Sequence, residues 1–409
     1  MHTVCRPICV RRHGECLAWL VPLLVYVAVA IPLYLAYCDM VNPDGFCYAR
    51  RAAYLARGQW WASISGYWSP LICWCMAPLL RCGMDGVHAA RVVLGLGGAG
   101  LVLAFGWMLR AVLEWHWGLR LAAASLLAPA AAAMAMRQIS PDTLLGAVLM
   151  GYLALAGRRD LLERRWIAVG AGLLGGLAYL AKAYAFPFVL VHLPLTIAML
   201  AWMLRRQGRF HTGRNAMVSI TLALAGFALL AGPWVAVLSW RYGQLTISTS
   251  GARAHAQVGP GDAGSAWDWN RPVPDPYIIP PENHEFLRCA FWSPFSSRQA
   301  WSHQLHVVRN NAQTLDRTFR LYAPVGLALA GIALLPLTMW LQPRGRRWQG
   351  IWLGLTLALY CAGYLPVYFH PRYIHNTAFP LSLAICMGSV LQRRRPRLGV
   401  ILAAAVLAA

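Results

Sequence analysis

The sequence predicts an all-α polytopic membrane protein, on three observations. Of its 409 residues, 59% are hydrophobic and only 12% are charged, about half the ~25% usual for soluble domains. Mean hydropathy is +0.49. Apolar runs of about 20 residues, the length that crosses a bilayer as a helix, recur along the chain. These observations exclude a disordered chain, a coiled coil and a disulfide mini-scaffold. The net charge of +22, from 36 Lys+Arg against 14 Asp+Glu, would alone point to nucleic acid. The hydrophobicity assigns it to a membrane protein instead, and no nucleic-acid partner is predicted.

Spans are predicted at 17–37, 88–110, 119–136, 142–157, 166–181, 187–204, 216–238, 321–341, 350–368 and 374–391, a bundle of about 10–11 transmembrane helices. The first follows Arg6, Arg11 and Arg12, as the apolar core of a signal peptide would. No small-x-small cleavage site ends it, so it reads as an uncleaved span. The apolar tail from Leu398 to Ala409 reaches only about 18 Å as a helix. It is expected to be a half-span or the remnant of a longer chain.

With the N-terminus placed in the cytoplasm, the alternate loops hold 20 basic residues against four acids. The loops at 158–165, 205–214, 342–349 and 392–397 all obey the positive-inside rule. The hydrophilic stretches 38–87 and 239–320 then lie outside, with the turns around Arg137–Asp142, Lys182–Pro187 and Phe369–Tyr373. The chain accordingly divides into an N-terminal transmembrane module (1–238), an external cap (239–320) and C-terminal helices (321–409).

Within 38–87, Asn42-Pro43-Asp44-Gly45 is a turn signal. From Phe46 to Trp61, Tyr48, Ala52, Ala53, Leu55 and Ala56 oppose Arg50, Arg51 and Arg57, the pattern of an interfacial amphipathic helix. Trp60, Trp61, Tyr67, Trp68 and Trp74 read as interfacial anchors. Trp68-Ser69-Pro70 opens a short apolar stretch to Leu80, expected as a second interfacial or re-entrant helix. Cys47, Cys73, Cys75 and Cys82 share this loop, which leaves a disulfide open. No Cys/His spacing resembles a zinc motif. Residues 239–320, with Gly259-Pro260-Gly261 and a proline-rich run at 272–281, read as an irregular, loop-rich cap. Its Trp267, Trp269, Trp292 and Trp301 either pack or stack on sugar; packing is the commoner role.

Several segments together resemble the GT-C superfamily of membrane glycosyltransferases, of the protein O-mannosyltransferase and aminoarabinose-transferase kind. Asn42-Pro43-Asp44-Gly45-Phe46-Cys47-Tyr48 sits where that family carries an acid just after span one. Gly66-Tyr67-Trp68-Ser69-Pro70-Leu71 is similar to the start of its second juxtamembrane helix. Ser140-Pro141-Asp142 matches its next external acidic position. Gly176-Leu177-Ala178-Tyr179-Leu180-Ala181-Lys182 is similar to a segment ending in lysine, and His370-Pro371-Arg372-Tyr373 to a late Arg-Tyr motif. In this chain Asp39 and Asp44 are five residues apart, where many relatives have adjacent acids.

The resemblance implies a polyprenyl-phosphate-linked sugar donor, a glycan, lipid or protein acceptor, and an active face at the periplasmic side of a bacterial inner membrane. Arginine-rich, nearly lysine-free usage fits a GC-rich bacterial genome. Asp44 is the candidate base for the acceptor hydroxyl; its alternative is a plain turn. Asp142 is the second candidate, with Ser140 as N-cap, Pro141 at N1 and a helix dipole as the competing explanation. Lys182, the single lysine, and Arg372 and Arg137 are candidates for the donor phosphate. Asp39, Tyr373 and His370 are further candidates. Asp39, Asp44, Asp142, His255 and His284 share a side without ligand regularity. No metal site is predicted, and a divalent cation is left open. The competing functions are a flippase for a lipid-linked sugar and a non-catalytic partner in envelope-glycan assembly.

Overall fold

The computed structural model describes residues 6–209, 212–260, 291–321 and 347–391. Among them are fourteen helices and no strand. They are α1 (Arg6–Tyr37), α2 (Pro43–Ala56), α3 (Trp60–Ser63), α4 (Pro70–Arg81), α5 (Gly86–Ala111), α6 (Trp117–Arg137) and α7 (Asp142–Ala156). There follow α8 (Arg165–Ala181), α9 (Ala185–Arg206), α10 (Thr212–Tyr242), α11 (Ser250–Ala256), α12 (Arg298–Leu321), α13 (Arg347–Ala362) and α14 (Arg372–Leu391). The expected span at 321–341 and the tail after 391 lie outside the described residues, as do Trp267, Trp269 and His284.

Five helices, α1 from His13, α5, α6, α9 and α10, are long and apolar enough to cross a membrane. The shorter apolar helices α4, α7 and α8 pack among them. Residues Leu17, Leu20, Leu24, Val27, Ile31 and Leu35 of α1 are exposed at helical spacing, an apolar outer stripe suited to lipid. The opposite face buries Ala18, Tyr26 and Ala30, and Tyr26 donates to Gly95 O at 2.7 Å.

The seam between α8 and α10 depends on small residues. A Cβ on Gly172 would collide with the Ala223 carbonyl, and one on Gly176 would stand 2.8 Å from Phe227 O. From the other side, a Cβ on Gly226 would meet Val169 O at 2.6 Å. Without side chains there, the two backbones touch, as small-xxx-small pairs allow in lipid.

Successive helices reverse direction. The ends at Tyr37, Gly86, Arg137, Asp142, Ala181 and Tyr242 gather at one pole. Here Arg91 donates to Tyr37 O and Met40 O at 3.0 and 2.6 Å, and Tyr179 donates to Ile247 O at 2.7 Å. At the other pole Glu15 accepts from Arg120 at 2.5 Å, and Glu163 pairs with Arg209.

The loop between α1 and α5 departs from the expected long interfacial helix. It ends at Ala56, because Gly58 takes a positive φ of 77° that non-glycine residues rarely adopt. Only the four-residue α3 follows. Arg51 is not on a polar face: it is 1% exposed and donates to Ala62 O, Ser63 O and Ile64 O at 3.2, 3.3 and 3.0 Å. Capping three carbonyls of the turn through Nη1 offsets part of the cost of burying the guanidinium. Trp68 is buried against Tyr48 rather than anchored at an interface, whereas Trp60, Trp61 and Trp74 are exposed. α4 forms as expected for the second short helix. Cys47, Cys73, Cys75 and Cys82 are free thiols, which closes the disulfide question for this loop.

The stretch expected as a cap contains regular structure among its described residues. Its last part is the 24-residue α12. Gln304 donates to Pro366 O at 3.0 Å, and Asn311 to Leu365 O and Val367 O at 2.9 and 2.8 Å. Trp292 packs: it stacks on His255 with ring centroids 4.5 Å apart and donates to its carbonyl at 3.0 Å.

Candidate functional site

The site begins with a turn-to-turn splice. Asn42 precedes Pro43 at the start of α2 but makes no cap bond. Its amide instead pairs with the backbone of Ile139, donating to Ile139 O at 3.3 Å and accepting from Ile139 N at 2.9 Å. Gly45 permits this approach, since a Cβ there would stand 2.7 Å from the Ile139 side chain. The splice sets Asp44, in the first turn of α2, beside Ser140-Pro141-Asp142 at the start of α7.

Each acid then meets a cation from a distant helix end. Arg372, the first residue of α14, pairs with Asp44 and also donates to Gln138 Oε1 at 3.3 Å. Lys182, just past α8, donates to Asp142 Oδ1 at 2.7 Å. The Tyr373 ring lies under both cations, 4.3 Å from Lys182 Nζ and 5.5 Å from Arg372 Cζ. Such contacts hold a cation in place without neutralising it.

Ser140 does not cap α7 as the sequence suggests. Pro141 occupies the N-cap, and Ser140 Oγ donates to Asp142 Oδ2 at 2.7 Å. Asp142 is buried at 6% exposure, so both of its oxygens need partners, and each has one. Asn376 Nδ2 fixes its carbonyl at 2.9 Å.

Both pairs open on a cavity of about 1200 Å³ that Asp44, Asp142, Lys182, Arg372, Tyr373 and His370 all line. Six tyrosines contribute to its wall: Tyr48, Tyr67, Tyr184, Tyr364, Tyr368 and Tyr373. Burial raises Tyr48 and Tyr67 well above the usual tyrosine value, and Tyr373 is pushed up to about 12, chiefly by burial. The three phenols are therefore neutral hydrogen-bonding groups at neutral pH. Burial first, and Arg372 second, hold His370 below the usual histidine value. Ser69, Ser248, Ser250 and Gln257, the last just past α11, add further polar groups to the lining.

Two candidates are not in the cavity. Arg137 is exposed at the end of α6, and Asp39 is exposed in the turn after α1. The tyrosine wall beyond Tyr373 was not legible as a site, because aromatic residues at helix ends also serve as interfacial anchors.

These elements define a multi-pass helical membrane protein with a charged, aromatic-walled cavity at one pole of its bundle. Among solved structures it is similar to ArnT from Cupriavidus metallidurans bound to undecaprenyl phosphate, with 18% identity and a TM-score of 0.54. The match covers 94% of this chain and 63% of that one, so the chain spans less than two thirds of its solved counterpart. This likeness is one of fold, and it bears out the polytopic all-helical architecture expected from the sequence. No protein-family profile matches the sequence, and no curated protein matches it.

Proposed function

We propose that the protein is a GT-C-type glycosyltransferase moving a monosaccharide from a polyprenyl-phosphate donor to an envelope acceptor at the periplasmic face. The observation carrying this reading is the convergence of two acids and two cations, from four chain segments, on one large cavity. The ArnT structure, with undecaprenyl phosphate bound and the same fold, supports the donor class.

In this reading Lys182 and Arg372 engage the donor phosphate, Lys182 as a point charge and Arg372 as a fork. Arg372 then exchanges Asp44 for phosphate, and the freed carboxylate accepts the proton of the acceptor hydroxyl. The hydroxyl oxygen forms a bond to the anomeric carbon as the bond from that carbon to the phosphate oxygen breaks, with inversion. The phosphate leaves with the electron pair, and Asp44 holds the proton. Asp142 positions Lys182. Arg137 and Asp39, away from the cavity, have no part in this step.

A flippase needs polar groups along a crossing path. The four charged groups instead share one pole, which favours transfer chemistry. The test is Asp44→Asn in the purified protein, assayed for sugar transfer from a polyprenyl-phosphate donor. Transfer should fall at least 10³-fold, in the range of losing both a general base and its charge, while the protein stays folded at the assay temperature despite the lost Arg372 ion pair. Undiminished transfer would sink the assignment.

A further inference from the structure

A second polar cluster lies outside the cavity, where α1 ends and α5 begins. One ligand-type atom each from Cys38, Asp39 and His88 lies within 4.8 Å of the others. Cys38 Sγ and Asp39 Oδ2 are 3.5 Å apart. Tetrahedral bonds of about 2.0–2.3 Å put neighbouring ligand atoms about 3.3–3.7 Å apart. The cysteine–carboxylate pair already stands at that edge length without any ion.

Two surrounding contacts hold the cluster in place. Asp85 Oδ2 lies 2.6 Å from His88 Nδ1. A carboxylate beside the imidazole is the usual outer-shell partner of a metal-bound histidine. Asp85 is itself fixed, because it caps α5 by accepting from Val87 N and His88 N at 2.9 and 3.1 Å. Arg91, one turn further along α5, donates to Tyr37 O and Met40 O. These bonds bracket Cys38 and Asp39 and tie their turn to the helix that carries His88. Cys38 and His88 are half-buried and Asp39 is exposed, so an ion could enter from solvent and keep a water in its fourth position.

We infer that Cys38, Asp39 and His88 form a site for a borderline-soft divalent transition ion of the Zn²⁺ type. A thiolate, an imidazole and a carboxylate suit such an ion and not Mg²⁺ or Ca²⁺, which take all-oxygen shells. The ion clamps the first external loop to α5, four residues before Asn42 begins the splice that positions Asp44. The role is structural, and the cluster does not line the reaction cavity.

The test uses the full-length protein in detergent micelles, with the exposed Cys16, Cys75 and Cys82 replaced by serine. Titration with Co²⁺ is expected to saturate at one equivalent with a thiolate-to-cobalt charge-transfer band, and Zn²⁺ to displace it. Cys38→Ser should abolish the band. Asp39→Asn and His88→Gln should each weaken Co²⁺ binding at least tenfold, and Asp85→Asn about tenfold through His88. Zn²⁺ should raise the melting temperature of the parent protein but not of Cys38→Ser. Melting of each metal-free variant at the parent temperature separates lost binding from lost folding, and His88→Gln serves if Cys38→Ser does not fold. Absence of a one-equivalent band, or its persistence in Cys38→Ser, would overturn the site. None of these readouts depends on sugar transfer.

Discussion

Asp142 has both carboxylate oxygens engaged: Ser140 holds one and Lys182 the other. Replacing it with Asn leaves the Lys182 ammonium half-buried without a counter-charge. The expected cost is about 1–3 kcal/mol of stability, read as a lower melting temperature in micelles. Lys182→Gln should instead raise the donor KM about tenfold, because it removes one charge-assisted contact to phosphate. Lys182→Arg should not rescue it fully, since a planar guanidinium replaces a point charge seated over Tyr373. His370 offers a pH test. Burial and then Arg372 lower its value, while Asp142 and Asp44 pull the other way and Lys182 adds to Arg372. Its titration, followed by NMR on labelled histidine, should fall below the ordinary ~6.5, and Arg372→Gln should move it upward. The linked stability is present above ~6.5 and is lost as pH falls through the folded value. At this scale the sequence singled out Asp44, Asp142, Lys182 and Arg372 as candidates, with a plain turn and a helix dipole as competing explanations for the two acids. Their pairing was not legible, because 328 residues separate Asp44 from Arg372 and no local pattern encodes such a partner. Arg51 was misread for a related reason: its partners are three backbone carbonyls, which carry no residue signature.

At the scale of helices, the α8–α10 seam makes a strong prediction. Gly172→Val places side-chain atoms where the Ala223 carbonyl sits, and backbone cannot give way as a side-chain tip can. Overpacking costs about 1–3 kcal/mol where side chains can yield, so a loss above that range is expected, seen as earlier thermal aggregation in micelles. Gly232→Ala, on the same α10 but with nothing near its Cβ position, should be silent. Asn42→Ala cuts the splice to Ile139 and should lower kcat more than the donor KM, since it misplaces Asp44 while sparing Lys182. Helix positions were largely legible from apolar length: eight expected spans coincide with α1, α5–α10 and α14, while α13 ends at Ala362, short of the expected 350–368. α12 was not legible: it is polar on average, and its inward face mixes Gln304 and Asn311, seated on carbonyls, with the small apolar groups of Ala300 and Val307, so a search for long apolar runs passes over it. The break after α2 had a signal in Gly58.

At the scale of the whole molecule, the basic excess bears on orientation. Reporter fusions placed in 57–59, 243–247 and 363–369 should report the periplasm, and fusions in 158–164 and 207–211 the cytoplasm. This follows from the alternation of helix direction together with the arginine-rich loops. A fusion set dividing the cavity pole between two compartments would contradict both the orientation and the proposed reaction. The Asp44–Arg372 pair also has a consequence in time. The chain is made from its N-terminus, so Asp44 enters the membrane long before the codon for Arg372 is read. Until α14 inserts, the carboxylate has neither its guanidinium nor the Tyr373 ring beside it, and the cavity lacks a wall. On the proposed reaction, a chain that stops before α14 would lack the Asp44 partner and one wall of the cavity, so the complete pocket forms in one late event rather than accumulating gradually during synthesis.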